Sequence, residues 1–301
     1  MQRTAAISWS LSHIVTIGEV LWDLIGGREY LGGAPLNFSV QCARLGHRVS
    51  LVSAVGDDDR GRAALARIRD LGVSTSFVRT VAGQATGTVG VTVDAEGQPS
   101  YAIHRPAAYD FAGLDDADFA ALTADPPEWI AFGTLHSMDP RARALLGTVI
   151  ERFPRARRFY DVNLRRDSYT PGLVNELLAL AHVAKLTDSE VAEVTGVAEG
   201  SIESFCRTYA ARFGWQAVCI TRGAEGCALF TGGEYVEAPG VPVTVADTVG
   251  AGDAFDAALV HGLECGWPAA RIAEFANRLG ALVASRPGGT PEWSPQELEA
   301  I

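Results

Sequence analysis

The chain has few cysteines and no way to pair them all. The five, Cys42, Cys206, Cys219, Cys227 and Cys265, are scattered among apolar neighbours, with no CxxC spacing to suggest zinc or redox exchange. They read as buried thiols of a protein kept in a reducing cytosol. Basic charge is also scarce. Against 36 Asp and Glu stand 25 Lys and Arg, a net charge of -11, which is the wrong sign for a surface that neutralises nucleic-acid phosphates. The balance points to a small-molecule ligand, and an anionic one must be held by local devices such as helix N-termini, a metal ion or single cations. No apolar run reaches the about 20 residues of a membrane helix. The N-terminal run AAISWSLSHIVTIGEV has no convincing cleavage site, so it reads as a loose tail of about a dozen residues leading into a first strand. Six histidines form no HExxH or other ligand spacing, which argues against a protein-bound transition metal.

What is present is a core-forming composition, 48% hydrophobic over 301 residues. Short apolar runs alternate with amphipathic helical segments: IVTIGEV, APLNFSVQCARLG, VSLVSAVG, DRGRAALARIRDLG. The alternation resumes after residue 125 with WIAFGT, PRARALLGTVIERF, RFYDVN, LVNELLALA, VAKLT, ESFCRTYAARFG, AVCITRG and AFDAALVHGL. That pattern predicts one α/β domain over residues 1–301, a mostly parallel sheet with helices on both faces and ligands at the carboxyl ends of its strands. Residues 86–104, TGTVGVTVDAEGQPSYAIH, break the alternation with two strand-like runs around the turn DAEG. With Leu21 to Leu31 they predict a small β-sheet lid over a cleft, built from about 20–32 and 86–108.

The densest chemistry lies in ADTVGAGDAFDAALVHGL, residues 246–263. Gly250, Ala251 and Gly252 carry little side chain, so the backbone can turn sharply and present N–H groups where a helix begins, at its partly positive end. Asp253 in the first helical turn is then a carboxylate beside an anion hole, the pairing that phosphoryl transfer to a hydroxyl requires. In GGAPLNFSVQCARLG, Gly32 and Gly33 permit close backbone approach, and Asn37 is a polar residue in an otherwise apolar helix. YDVNLR places Asp161, Asn163 and Arg165 at a strand end, where the Arg165 guanidinium is a planar fork matched to oxyanions. TRGAEG gives a turn with Thr221, Gly223 and Gly226 suited to passing under nucleotide phosphates or ribose, and Lys185 is a cation available to a nucleotide.

DTVGAGDAF resembles the C-terminal signature of the PfkB or ribokinase family of carbohydrate kinases, and GGAPLNFSVQCARLG resembles the family's N-terminal glycine-rich signature. GEVLWD, YDVNLR, TRGAEG and ANRLGALVASRPGG extend the resemblance, in order, over nearly the whole chain. It implies a ribokinase-like fold and an enzyme that uses ATP and magnesium, with Asp253 as the base and Asp23, Gly33 and Asn37 on sugar hydroxyls. Asp110, in the family-like run RPAAYDF, is a further sugar-facing candidate. In KLTDSEVAEVTG the family's Asn-x-x-Glu has Thr187 in place of Asn but keeps Glu190, which the resemblance assigns to water around magnesium. Asn277 and Gly288 are carried over to the adenine side, and Asp247 and Val249 to a monovalent cation held by carbonyls.

The combination of GEVLWD, GGAPLNF, AAYDF and YDVNLR looks most like fructokinases, so D-fructose is the first choice of substrate. Ribose, 2-keto-3-deoxygluconate, tagatose phosphate and nucleosides are rivals on the same scaffold. A catalytically silent sugar- or nucleotide-binding regulator is the rival of another class, disfavoured by the intact GAGD run. A Rossmann dehydrogenase lacks support because no GxGxxG follows the first strand. Exposed lid edges also suggest a homodimer.

Overall fold

A computed structural model of the chain describes residues 12–93, 99–195 and 201–301; the expected N-terminal tail to residue 11 and the turn DAEG at 94–97 lie outside them. Nine strands make the main sheet: β1 (His13–Ile17), β4 (Arg48–Gly56), β5 (Val78–Val81), β8 (Trp129–Gly133), β9 (Arg157–Asp161), β10 (Val183–Thr187), β11 (Ala217–Thr221), β12 (Cys227–Thr231) and β13 (Glu234–Ala238). Their spatial order is β13-β12-β11-β10-β9-β8-β1-β4-β5. From β11 to β5 every pairing is parallel, whereas β12 and β13 add an antiparallel edge that the helix–strand alternation did not predict. A turn at Gly232 and Gly233, both at positive φ, makes that edge hairpin. The central strands are apolar on both faces because helices cover both. β1, HIVTI, is buried at every position.

On one face α1 (Ala34–Arg44), α9 (Ala251–Glu264) and α10 (Ala269–Ala284) enclose a core that includes Phe38, Trp129, Phe159, Phe255 and Leu279. Against the other face pack α3 (Asp116–Ala124), α5 (Pro140–Arg152), α6 (Pro171–Leu180) and α8 (Ile202–Phe213), with Phe132, Leu146, Tyr160, Leu177 and Ile220 between them. Shorter α4 (Thr134–Ser137), α7 (Asp188–Thr195) and α11 (Pro295–Ala300) and the longer α2 (Asp59–Asp70) complete the set. Local signals explain the helix ends: Asp58 accepts from Gly61 N–H at 2.7 Å to start α2, and Gly214 at φ 70° closes α8.

A second sheet, in the order β3-β2-β6-β7, comprises β2 (Leu21–Ile25), β3 (Arg28–Gly32), β6 (Gly87–Val93) and β7 (Pro99–Ile103). It is mixed: β2 runs parallel to β6 and antiparallel to β3. The short link from β1 to β2 and the entry from β3 to α1 tie this sheet to the carboxyl end of the main one. The expected ribokinase-like architecture, a large mostly parallel sheet with a small lid sheet, is present. Four cysteines are buried as expected but Cys265 is only half-buried, and all are free thiols. No helix among the described residues is long and apolar enough to cross a membrane.

Candidate active site

A cavity of about 320 Å³ lies between the carboxyl end of the main sheet and the lid sheet. α9 delivers its first turn there. Gly250 precedes the helix at φ 76°, and a Cβ on it would stand 2.1 Å from Gly289 O, so only glycine lets this turn meet the loop after α10. The N–H groups of Gly250, Gly252 and Asp253 have no acceptor among the described residues, which leaves the positive end of α9 open to an anion. Gly252 and Asp253 line the cavity with Gly250, whereas Ala251 does not.

Asp253 is buried, and its Oδ2 accepts from Asn37 Nδ2 at 2.9 Å across 216 residues of sequence. Burial pushes its carboxyl up to about 6, with Asp161 adding to the rise while Asn37, Lys185 and Arg165 oppose it. That value leaves Asp253 mostly ionised at neutral pH yet basic enough to accept a proton. Asn37 Oδ1 is buried at the cavity without a partner, so a ligand hydroxyl has an acceptor to meet.

Asp23 reaches the cavity from β2, opposite Tyr30 on β3 and Val89 on β6. Burial raises its carboxyl to about 6, against the pull of Arg165. Gly32 accommodates it closely, since a Cβ there would lie 2.7 Å from Asp23 Oδ2. Gly33, at φ 113°, passes so near the chain before β2 that a Cβ would lie 2.4 Å from Glu19 O. Arg165 is exposed at the rim, with no ion pair among the described residues, and Asn163 beside it sits at φ 38°, a rarely adopted backbone for a residue with a side chain. Lys185 is buried and ion-paired to Asp161 at 3.1 Å. Burial alone would lower the Lys185 ammonium, but Asp161, Asp256 and Glu190 hold it above its ordinary range.

Several expected residues stand outside the cavity lining. Asp110, expected to face the sugar, is buried against Arg105, and its Oδ2 also accepts from Ala107 N–H at 3.0 Å. Glu190 forms a capping box with Thr187. Its Oε2 accepts from Thr187 N–H at 2.8 Å, Thr187 Oγ1 accepts from Glu190 N–H at 3.2 Å, and Glu190 Oε1 takes Leu164 N–H at 2.6 Å. Thr187 in place of Asn is therefore a good helix start. Asp247 bonds Val249 N–H and Gly288 N–H, each at 3.0 Å, joining the strand-side approach of α9 to the late glycine loop. Val249 is exposed on the cavity.

A neighbouring cluster lies at the end of β11. Thr221 Oγ1 contacts Leu186 O at 3.4 Å, and the turn Gly223–Glu225 leads to Gly226, where a Cβ would stand 2.1 Å from Ala238 O. Asn277 spends its amide on Ala238 O at 3.2 Å and Pro239 O at 3.0 Å, so it shapes this loop through backbone and offers no free donor. No group of three His, Cys, Asp or Glu among the described residues forms a metal cage.

Two carboxylates were not singled out from sequence. Glu19 lines the cavity, and its signal is an acid following an apolar strand. Asp256, in the apolar run AFDAALVHGL, is buried one turn beyond Asp253. A buried acid in an apolar helix is the pattern that reveals it.

Comparison with known proteins gives a consistent picture. A model of the pfkB family carbohydrate kinases matches residues 13–296. An aminoimidazole riboside kinase from Salmonella typhimurium is 30% identical over 303 residues, covering 93% of this chain and 91% of its own. A fructokinase from Klebsiella pneumoniae is 32% identical over 263 residues, covering 83% and 84%. Among solved structures, an uncharacterized sugar kinase from Pyrococcus horikoshii in complex with ATP superposes with a TM-score of 0.79 at 28% identity, over 93% of this chain and 95% of that one. A family match over almost the entire chain, on this fold and with both glycine signatures at one cavity, means that the protein belongs to the pfkB family of carbohydrate kinases.

Proposed function

We propose that the protein transfers the γ-phosphoryl group of ATP to a primary hydroxyl of a small sugar, D-fructose being the first choice and fructose 6-phosphate its product. The observation that carries this reading is Asp253, buried at the open N-terminus of α9 and hydrogen-bonded to Asn37 at the cavity. Asp253 takes the proton as the sugar oxygen bonds to the γ-phosphorus; the bond to the β-phosphate oxygen breaks and ADP leaves. The free N–H groups of Gly250, Gly252 and Asp253 meet the charge on the transferring group. Asn37 Oδ1 and Asp23 hold sugar hydroxyls, with Gly33 supplying close backbone.

The nucleotide fits the bare helix terminus, the adjoining loops of Gly223, Gly226 and Gly288, and Asn277 of α10. With no protein cage among the described residues, magnesium would be held by phosphates and water near Glu190 and Thr187, where it would neutralise phosphate charge. A monovalent cation at the carbonyls around Asp247 and Val249 and a homodimer formed through the lid belong to the same reading. The free cysteines support a cytosolic setting.

Asp253→Asn is expected to keep ATP and sugar binding while kcat falls about 10²- to 10⁴-fold. In the wild type kcat/KM should decline below pH about 6 as Asp253 protonates. Near-normal turnover by the variant would remove Asp253 as base. A panel of fructose, ribose, 2-keto-3-deoxygluconate and aminoimidazole riboside with ATP and magnesium tests the substrate. 2-Keto-3-deoxygluconate is the second reading because the Arg165 guanidinium at the rim, without an ion pair among the described residues, suits a carboxylate. Turnover of that acid with none of fructose would replace the first choice.

A further inference from the structure

Beside Asp253, and sharing Pro35, Gly133 and Asp161 with the main cavity, is a small void of about 30 Å³ bordered by Thr16 of β1, Phe38 of α1, Phe159 and Asp161 of β9, and Asp253 and Asp256 of α9. Two of its polar atoms, Thr16 Oγ1 and Asp256 Oδ1, are buried and have no hydrogen-bond partner. Thr16 is 2% exposed and Asp256 1%. Orphaned buried acceptors cost about 1–3 kcal/mol each, so a native core leaves them only where something fills the gap. The void is large enough for one water, which needs roughly 10–15 Å³ and two or more polar partners.

Charge narrows the state of the carboxyls. Asp161, Asp253 and Asp256 border the void, with Glu190 of α7 near by, and among the described residues the buried cation beside them is Lys185 of β10, already bonded to Asp161. Arg165 faces Asp253 from the rim. Cys42 of α1 and Cys219 of β11 also feel Asp256, and burial holds both thiols neutral. Three carboxylates around so small a space with one ammonium cannot all be ionised. Asp253 has the Asn37 amide and Asp161 has Lys185; Asp256 Oδ1 has neither.

We propose that one water molecule occupies this void, bridging Thr16 and Asp256, and that Asp256 is a neutral carboxyl which positions this water and Asp253. Asp256 does not line the main cavity and is a positioning residue. Its burial, reinforced by Asp161, Asp253 and Glu190 against the pull of Lys185, acts in the same direction.

The kinetic part of the proposal rests on Asp253 being the base, but the water and the proton can be read without any substrate. In a high-resolution crystal structure of the wild type, a peak should lie within hydrogen-bond distance of Thr16 Oγ1 and Asp256, and should be lost in Thr16→Val. An empty void, or a peak unchanged in Thr16→Val, overturns the water. At about pH 8.5, where Glu19, Asp23 and Asp253 are ionised, the infrared difference between wild type and Asp256→Asn should contain the C=O stretch of a carboxylic acid. Only carboxylate bands there would overturn the neutral Asp256. Asp256→Asn, which mimics the neutral acid, should leave the acid limb of kcat/KM in place, whereas Asp256→Leu should shift that limb and lower kcat several-fold. A fall of about one pH unit in the limb of Asp256→Asn would mean that a charge had been removed, against the proposal. Absence of any sugar turnover in the wild type would instead count against the kinase reading and leave the crystallographic and infrared results standing.

Discussion

Glu19 shows what a single residue costs and contributes at this site. Burial raises its carboxyl from the usual 4.5 to about 7, with Asp253 adding to the rise and its own backbone and Arg165 opposing it. Because the folded value lies above the unfolded one, the folded chain holds a proton that the unfolded chain releases between pH 4.5 and about 7. The associated stability is fully present below pH 4.5 and is lost as pH rises through 7. Glu19→Gln, which cannot ionise, should therefore stabilise the protein at about pH 8 by on the order of 1–3 kcal/mol and have little effect at about pH 4.5, as read by thermal unfolding. Equal effects at both values would mean that Glu19 is not titrating in this window. A sequence reader can see an acid after an apolar strand in GEV, but its burial depends on α1 and the lid closing over it.

Among the elements, the start of α9 has a tight steric requirement tied to the site. Gly250 is held at φ 76° against Gly289 O, while a Cβ on Gly252 would meet only Lys185 Nζ at 3.8 Å. Gly250→Ala should cost about 1–3 kcal/mol in denaturant unfolding and weaken ATP binding at least tenfold in calorimetry, because the turn must move off the late loop. Gly252→Ala should leave the unfolding midpoint nearly unchanged. Equal destabilisation by the two would show that the loop contact is not the constraint. The glycine-rich turn is plain in the sequence, as are the helix after it and the likeness to a family signature. Its partner, Gly289, is not, since nothing local joins positions so far apart. The β12–β13 edge was missed because β13, EYVEA, carries two glutamates and is only partly buried, so it shows no apolar run.

The whole molecule is a nine-stranded sheet facing a four-stranded one, whose outer strands β3 and β7 expose unpaired edges and whose surface shows Tyr30 at 42% and Ile25 at 37% exposure. An exposed tyrosine beside an open edge is a surface that a second copy can cover. If the lid forms the proposed dimer, the wild type should sediment as a dimer at micromolar concentrations and Tyr30→Lys should move it toward monomer. A wild type that sediments as monomer would remove the dimer.

By itself the sequence determined the alternating pattern of strands and helices, the ribokinase-like class, the glycine turns and the residue types needed for phosphoryl transfer. The pattern and the turns follow from local propensity, from hydrophobic period and from steric rules that act over a few residues, whereas the ribokinase-like class came from the likeness to the family's signatures. Only the tertiary structure decided which side chains meet. It joined Asn37 to Asp253, turned Asp110 inward to Arg105, engaged Glu190 in a capping box with Thr187, and set Asp256 beside Thr16 around a void. Such contacts depend on packing between elements distant in the chain, and packing alone fixes whether a polar atom finds a partner, a ligand or a gap.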